Sequence, residues 1–213
     1  MAESERVKTP IHFTEDAVTY ALHRSLGTDS RLLFKFHHNL TLQDKRSRSW
    51  YFYCAPEVDA IEVRGDGHVI AYELKGARRH HSGIPDYPAI YDAIGQAIAY
   101  LDLPWVYEGD TRKFNGGVFD EVYVVCARGD STVDESELRI LSTVPLGAML
   151  ALPDGRFVTI KPAPQNPIQD VRAKEFFLQH LDCMEKHTNV SRIFRRIASA
   201  GEEWFAANLV RSS

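Results

Sequence analysis

Two strand-like runs, residues 59–63 (Asp-Ala-Ile-Glu-Val) and 69–75 (Val-Ile-Ala-Tyr-Glu-Leu-Lys), flank Gly65-Asp66-Gly67. β-branched and aromatic residues on either side of a glycine-bearing turn predict a hairpin. Ile61, Val63, Val69, Ala71, Tyr72 and Leu74 leave it little solvated surface, so both strands read as buried on two faces. Yet the hairpin also carries Asp59, Glu73 and Lys75, and charges on a buried strand pair need a compensating partner. With Asp66 at the centre, Asp59 lies seven residues before it and Glu73 seven after, so symmetric pairing sets them opposite each other. Their Cβ atoms would then be about 5 Å apart. Lys75, two residues beyond Glu73, points to the same face. Like charges in that position repel, and a divalent cation is a natural compensation. Mg²⁺ takes oxygen ligands and is often held by one or two carboxylates plus waters, and a neighbouring lysine can orient or deprotonate a water. The bland alternative is an exposed hairpin with Glu73 and Lys75 on its solvent face, a pattern many hairpins share.

The surrounding elements predict an α/β fold, a central mixed β-sheet flanked by helices. Thr14 followed by Glu15 and Asp16 reads as a helix start, and Val18, Ala21, Leu22 and Leu26 keep helical spacing up to Gly27. Residues 32–37 and 50–54 read as strands. After Pro85 and Pro88, residues 89–101 read as a helix with Ile90, Ala93, Ile94, Ala97, Ile98 and Leu101 on its apolar side. The continuous apolar run 122–127 suits an internal parallel strand reached by a crossover helix. Residues 136–141 read as a helix, and 148–152 with 157–161 as a second hairpin around Pro153-Asp154-Gly155. Two further helices end the chain. The reading is of one domain, with a core over about residues 13–127 and a C-terminal hairpin and helical extension over 128–213.

Composition excludes more than it assigns. The 213 residues are 44% hydrophobic and 25% charged, so neither a disordered nor a fibrous chain fits. Charge interrupts every long apolar stretch, and the opening Met1-Ala2-Glu3-Ser4-Glu5-Arg6 lacks an apolar signal core, so a cytoplasmic protein is expected. Cys54, Cys126 and Cys183 are too scattered for a disulfide framework or zinc ribbon. His37-His38 and His80-His81 are adjacent pairs whose side chains face opposite sides of a strand, which argues against zinc. Phosphate-binding, dinucleotide, nucleophile-elbow and zincin motifs are all missing. The net charge of −4 does not advertise nucleic-acid binding, but basic residues cluster locally at Lys45, Arg46 and Arg48 and at Arg78 and Arg79. An acidic chain can still present one basic face to phosphate, although a solvated surface is the commoner reading of such a cluster.

Pro56-Glu57-Val58-Asp59 followed by Glu73-Leu74-Lys75, with Gln96 and Tyr100 on the next predicted helix, resembles the PD-(D/E)xK nuclease superfamily. The Q-x-x-x-Y element is similar to that of its RecB-like and lambda-exonuclease-like branches. The resemblance implies a restriction-endonuclease-like core and a Mg²⁺ site, with Mn²⁺ able to substitute. Asp59, Glu73 and the Leu74 backbone carbonyl would be ligands, and Lys75 would position the attacking water. Gln96 and Tyr100, four apart and so on one helix face, would sit over the site and help hold the lysine or substrate. Glu15, in line with Val18 and Leu22, is a further candidate ligand, and its other reading is an acid favoured by the helix dipole. The Q-x-x-x-Y branch often carries an upstream histidine instead, for which His12 and His23 are both available.

The function so implied is Mg²⁺-dependent hydrolysis of DNA phosphodiester bonds, as an endonuclease or exonuclease, with RNA open as the substrate. DNA is the expected partner, and the C-terminal helices could support a homodimer or larger nucleoprotein assembly. The alternative from another class is a catalytically silent nuclease-fold subunit that binds or assembles. A third is an unrelated α/β protein with a charged hairpin on its surface.

Overall fold

The computed structural model describes residues 14–36, 40–43, 49–79, 85–187 and 190–209. Thr14 caps α1 (Glu15–Ser25), its side chain accepting from the Ala17 amide at 3.2 Å, with Glu15 and Asp16 in the first turn and His23 and Arg24 in the last. The chain continues through β1 (Arg31–Phe36), β2 (Leu40–Gln43) and β3 (Ser49–Tyr53) to the hairpin β4 (Val58–Val63) and β5 (Val69–Lys75). Its turn uses Gly67 at φ 81°, a conformation that glycine adopts without steric cost. Short strands β6 (Arg78–Arg79) and β7 (Pro85–Asp86) lead to α2 (Tyr91–Tyr100), β8 (Trp105–Glu108), β9 (Thr111–Arg112) and β10 (Glu121–Ala127). Then follow α3 (Glu135–Ser142), β11 (Gly147–Ala151), β12 (Phe157–Lys161), α4 (Val171–Gln179), α5 (Leu181–His187) and α6 (Val190–Leu209).

The central sheet has six strands in the order β1-β4-β5-β10-β11-β12. It is mixed: β5, β10 and β11 run parallel, and the flanking pairs are antiparallel. The architecture is therefore α/β, a mixed six-stranded sheet flanked by helices, with further helices at the C-terminal end. All of β4 and all of β5 except Lys75 is buried, which is what its near-continuous apolar sequence requires of a strand covered on both faces. Alternate side chains face alternate layers. Ala60, Ile70, Tyr72 and Leu74 pack with Val18 and Leu22 of α1 and Ile197 of α6, while Ile61, Val63, Val69 and Ala71 pack with Ala93, Ala97 and Tyr100 of α2. Asp59, Glu73 and Lys75 share the parity of the second set.

A four-stranded antiparallel sheet, β2-β3-β8-β9, lies outside the central one. The strand expected at 50–54 belongs to it rather than to the central sheet, and its partners β2 and β8 have no counterpart in the sequence reading. Its inner side chains Trp50, Phe52 and Val106 are buried, with Phe52 packed on Phe176 and Phe177 of α4 at centroid distances of 5.7 and 6.2 Å. The chain beyond residue 127 adds β11 and β12 to the central sheet, with Cys126 opposite Leu150. The C-terminal end forms three helices where two were expected. Among the described residues no helix is long and apolar enough to cross a membrane.

Candidate active site

The hairpin register is symmetric about Asp66: Ala60 pairs with Tyr72, Ile61 with Ala71 and Val63 with Val69. The next step of that register sets Asp59 opposite Glu73. Glu73 has no exposed surface and Asp59 only 5%. Lys75 completes the group, its Nζ donating to Glu73 Oε1. The structure thus brings together Asp59, Glu73 and Lys75 on one face of the hairpin.

Helix α2 closes the site from one side. Tyr100, fully buried, hydrogen-bonds Glu73 Oε2 and lies 2.7 Å from the Glu57 carbonyl oxygen. Gln96 Nε2 donates to the same carbonyl at 3.3 Å and to the Tyr100 oxygen at 3.1 Å. The pair was expected to hold the lysine or substrate. In the structure it holds the Glu73 carboxylate and the chain that leads into Asp59. Burial, and then the charges of Asp59 and Glu73, raise the Tyr100 hydroxyl far above its ordinary range, so it stays a donor.

A second lysine enters from β1, and the sequence reading missed it. The register Phe34–Ala60 and Phe36–Val58 places Lys35 beside Asp59. Lys35 Nζ lies 2.6 Å from Asp59 Oδ1, in contact with Glu15 Oε1, and 3.9 Å from Glu57 Oε1. Burial alone would lower its pKa, but Asp59 and then Glu15 more than reverse this, holding it well above the usual lysine value. Its φ of 48° lies in the left-handed region, which costs a non-glycine residue about 1–3 kcal/mol and persists where the surroundings over-determine it. Glu15 therefore joins the cluster through an ammonium rather than by touching Asp59. The signal available in the sequence was the same one that singled out Glu73, a charge between apolar strand residues in Phe34-Lys35-Phe36.

Glu73 is the electrostatic focus. Burial pushes its carboxyl up, the Asp59 charge adds to this, and Lys75 and Tyr100 oppose it, with the result at about 7. Lys75 is itself raised: burial would lower it, but the hydrogen bond to and charge of Glu73, with Asp59 and Glu15, prevail. Glu62, on the same hairpin but the opposite face, is a useful contrast. It is 2% exposed, and its oxygens are met by the Tyr72 and Ser30 hydroxyls at 2.6 and 2.8 Å and by Arg64 at 3.1 Å. No second carboxylate is among these partners.

All four oxygens of Asp59 and Glu73 have protein partners, since the Leu74 amide donates to Asp59 Oδ2 at 2.9 Å. Leu74 supplies its amide to Asp59, whereas the resemblance singled out its carbonyl. Each carboxylate oxygen retains a further lone pair. Among the described residues no three histidine, cysteine or carboxylate groups converge tightly enough to hold a metal ion by themselves. What the site offers is two adjacent carboxylates, a donor set that suits Mg²⁺ with its remaining positions filled by water. Their mutual repulsion is the observation that a cation would answer, with Lys35 and Lys75 as the counter-ions in its place.

Of the remaining candidates, His23 is not at this site. It lies eight residues along α1 from Glu15, with its ring edge-on to Phe34 and Phe194 at 6.4 and 4.9 Å. Arg78 is exposed on β6, paired through the main chain with Asp86, and Arg79 extends the same short strand. Lys45, Arg46, Arg48, His12 and both histidine pairs include positions outside the described residues. No family model, curated protein or solved structure matches this chain.

Proposed function

We propose that the protein is a Mg²⁺-dependent nuclease acting on DNA, similar to the PD-(D/E)xK superfamily. The observation that supports this most is the meeting of Asp59 and Glu73 at the buried centre of the sheet, with Lys75 on the same face. Pairing two carboxylates there has no structural benefit of its own, whereas such a pair is suited to hold a cation that assists phosphodiester hydrolysis. Asp59 and Glu73 would hold a Mg²⁺ ion, which would supply Lewis acidity and lower the pKa of a bound water. Lys75 orients the water that attacks phosphorus in line and meets the negative charge that grows on the phosphoryl oxygens. Tyr100 and Gln96 hold Glu73 and the main chain at Glu57 in place, so the two carboxylates keep their separation. Lys35 keeps Asp59 and Glu15 neutralised between turnovers.

A second reading is favoured by the complete set of protein partners around Asp59 and Glu73: a nuclease-fold module in which the ion cluster is structural and nothing is cut. One experiment separates the two. Linear, circular, single-stranded and branched DNA are incubated with the protein in Mg²⁺, Mn²⁺, Ca²⁺ or EDTA. The nuclease reading expects cleavage in Mg²⁺ and Mn²⁺, and binding without cleavage in Ca²⁺, whose larger shell misplaces the water. Undiminished cleavage in EDTA would sink the metal, and intact DNA under every condition would leave the silent module.

A further inference from the structure

A pocket of about 400 Å³ opens beside the candidate active site, at the carboxyl ends of the parallel strands. It lies between the segment that enters α2 and the segment joining β10 to α3. Tyr87 and Tyr91 form its walls, and Tyr91 is 49% exposed. Gly129 permits this shape, because a Cβ there would come within 3.3 Å of the Tyr87 ring. Arg128 and Glu137 hold it together, with side chains 14% and 4% exposed. The Arg128 guanidinium donates to the Pro88 carbonyl at 2.5 Å and pairs with Glu137 Oε1. Glu137 in turn accepts from the Ile90 amide at 2.7 Å and the Asp134 amide at 3.2 Å. Both walls are thereby tied to one ion pair, and the volume is within the range of small-molecule sites.

The lining chemistry selects the occupant. Two tyrosine faces offer stacking. Asp130, whose Oδ1 accepts from Thr132, and Asp134, which caps α3, add carboxylate acceptors with remaining lone pairs at the rim, and the guanidinium is already engaged at both ends. A phosphate would meet repulsion, whereas a flat ring bearing N–H donors would find an aromatic surface to stack on and carboxylate acceptors for its edge. The location also fits the candidate site. Cys126 is the strand partner of Lys75, and Arg128 lies two residues beyond it. Helix α2 carries Tyr91 at one end and Tyr100 at the other, so the two sites are about 13 Å apart along its axis, at 1.5 Å per residue.

We propose that this pocket receives one unpaired nucleobase with an exocyclic 6- or 4-amino group, adenine or cytosine, from the strand whose phosphodiester lies at Asp59 and Glu73. The identity of that strand rests on the nuclease reading; the binding of the base does not. It implies a substrate that is single-stranded, or has a frayed end, a few nucleotides from the scissile bond.

The test is an NMR titration of the full isotope-labelled chain with deoxycytidine, deoxyadenosine, thymidine and spermidine. The two amino-bearing nucleosides should shift the Gly129 and Tyr91 amides, and thymidine should bind several-fold more weakly, because its edge presents a carbonyl where the others present a donor. Tyr91→Ala should weaken nucleoside binding about tenfold, while Tyr91→Phe retains it, as stacking requires only the ring. The proposal is overturned if no nucleoside shifts those amides, if thymidine binds as well as deoxycytidine, or if spermidine alone binds there. Pocket shifts in a protein that cuts no DNA would refute the nuclease reading and leave the base site standing. Cleavage without any nucleoside response would do the reverse.

Discussion

Replacing Lys35 by Met tests whether the acidic cluster is built for a cation. Lys35 Nζ is 2.6 Å from Asp59 Oδ1, and the Asp59 side chain is 6% exposed. Removing the ammonium leaves a buried carboxylate beside Glu73 without this counter-charge, and breaking such a pair costs about 3–5 kcal/mol. In a chain of 213 residues that is a fall in melting temperature of roughly 6–20 °C, at about 2–4 °C per kcal/mol. The measurement is a thermal melt of both proteins, in EDTA and across a Mg²⁺ titration. In EDTA the variant should show the full loss. Mg²⁺ should restore most of it, since saturation to a hundred times the dissociation constant contributes about 2.7 kcal/mol. The variant should also bind Mg²⁺ more tightly than the wild type, where the ion must compete with the ammonium for Asp59. Two results would refute this reasoning. A variant that melts normally in EDTA means that Asp59 does not depend on Lys35. A loss that Mg²⁺ does not reduce means that the cluster is an ion pair and nothing more.

Three further outcomes are expected. Glu73 titrates at about 7 in the fold against an ordinary 4.5, so between these values the folded state holds more protons than the unfolded one. Metal-free stability should therefore fall by about 3 kcal/mol as the pH rises through that window, and saturating Mg²⁺ should flatten the slope; a metal-free profile already flat there removes the account of Glu73. Tyr100→Phe deletes the hydroxyl shared by Glu73 and the Glu57 carbonyl and should cost about 1–3 kcal/mol in urea denaturation. Lys75→Met should remain folded in Mg²⁺ and still bind the ion, yet lose orders of magnitude in single-turnover cleavage; near-normal cleavage by the folded variant takes lysine out of the mechanism.

The hairpin was legible because its logic is local. Turn, register and strand parity all follow from about fifteen residues, and the observed pairing of Ala60 with Tyr72 is the one that symmetry about Asp66 requires. Helix α1 was legible from its cap, and β10 from its apolar run. The outer sheet was not, because β2 and β8 are short and the exterior side chains Tyr51, Tyr53, Trp105 and Tyr107 are aromatic. They stack in two cross-strand pairs, at 4.9 and 5.5 Å, where a polar alternation would have marked strands with one solvated face.

Lys35 escaped notice for a different reason, and that reason bears on the site itself. Its partners are contributed by α1, by the segment before β4 and by β4, and β1 and β4 are neighbours in the sheet without being neighbours in sequence. A charge of that kind is recognisable only once the strand order is known, because no local pattern pairs residue 35 with residue 59. The consequence is chemical. On this face the hairpin alone supplies two carboxylates and one ammonium, an excess of one negative charge buried at the sheet centre. With Glu15 and Lys35 added, the five-membered cluster is still two lysines against three acids. Raising the Glu73 pKa is how the protein without a cation reduces that excess. A divalent cation provides the other way, and the two exclude each other, since a proton on Glu73 occupies the charge that the ion needs. Metal affinity should therefore rise with pH up to neutrality and level off above it. An affinity independent of pH between 5 and 7 would place the ion, if one binds, away from Glu73.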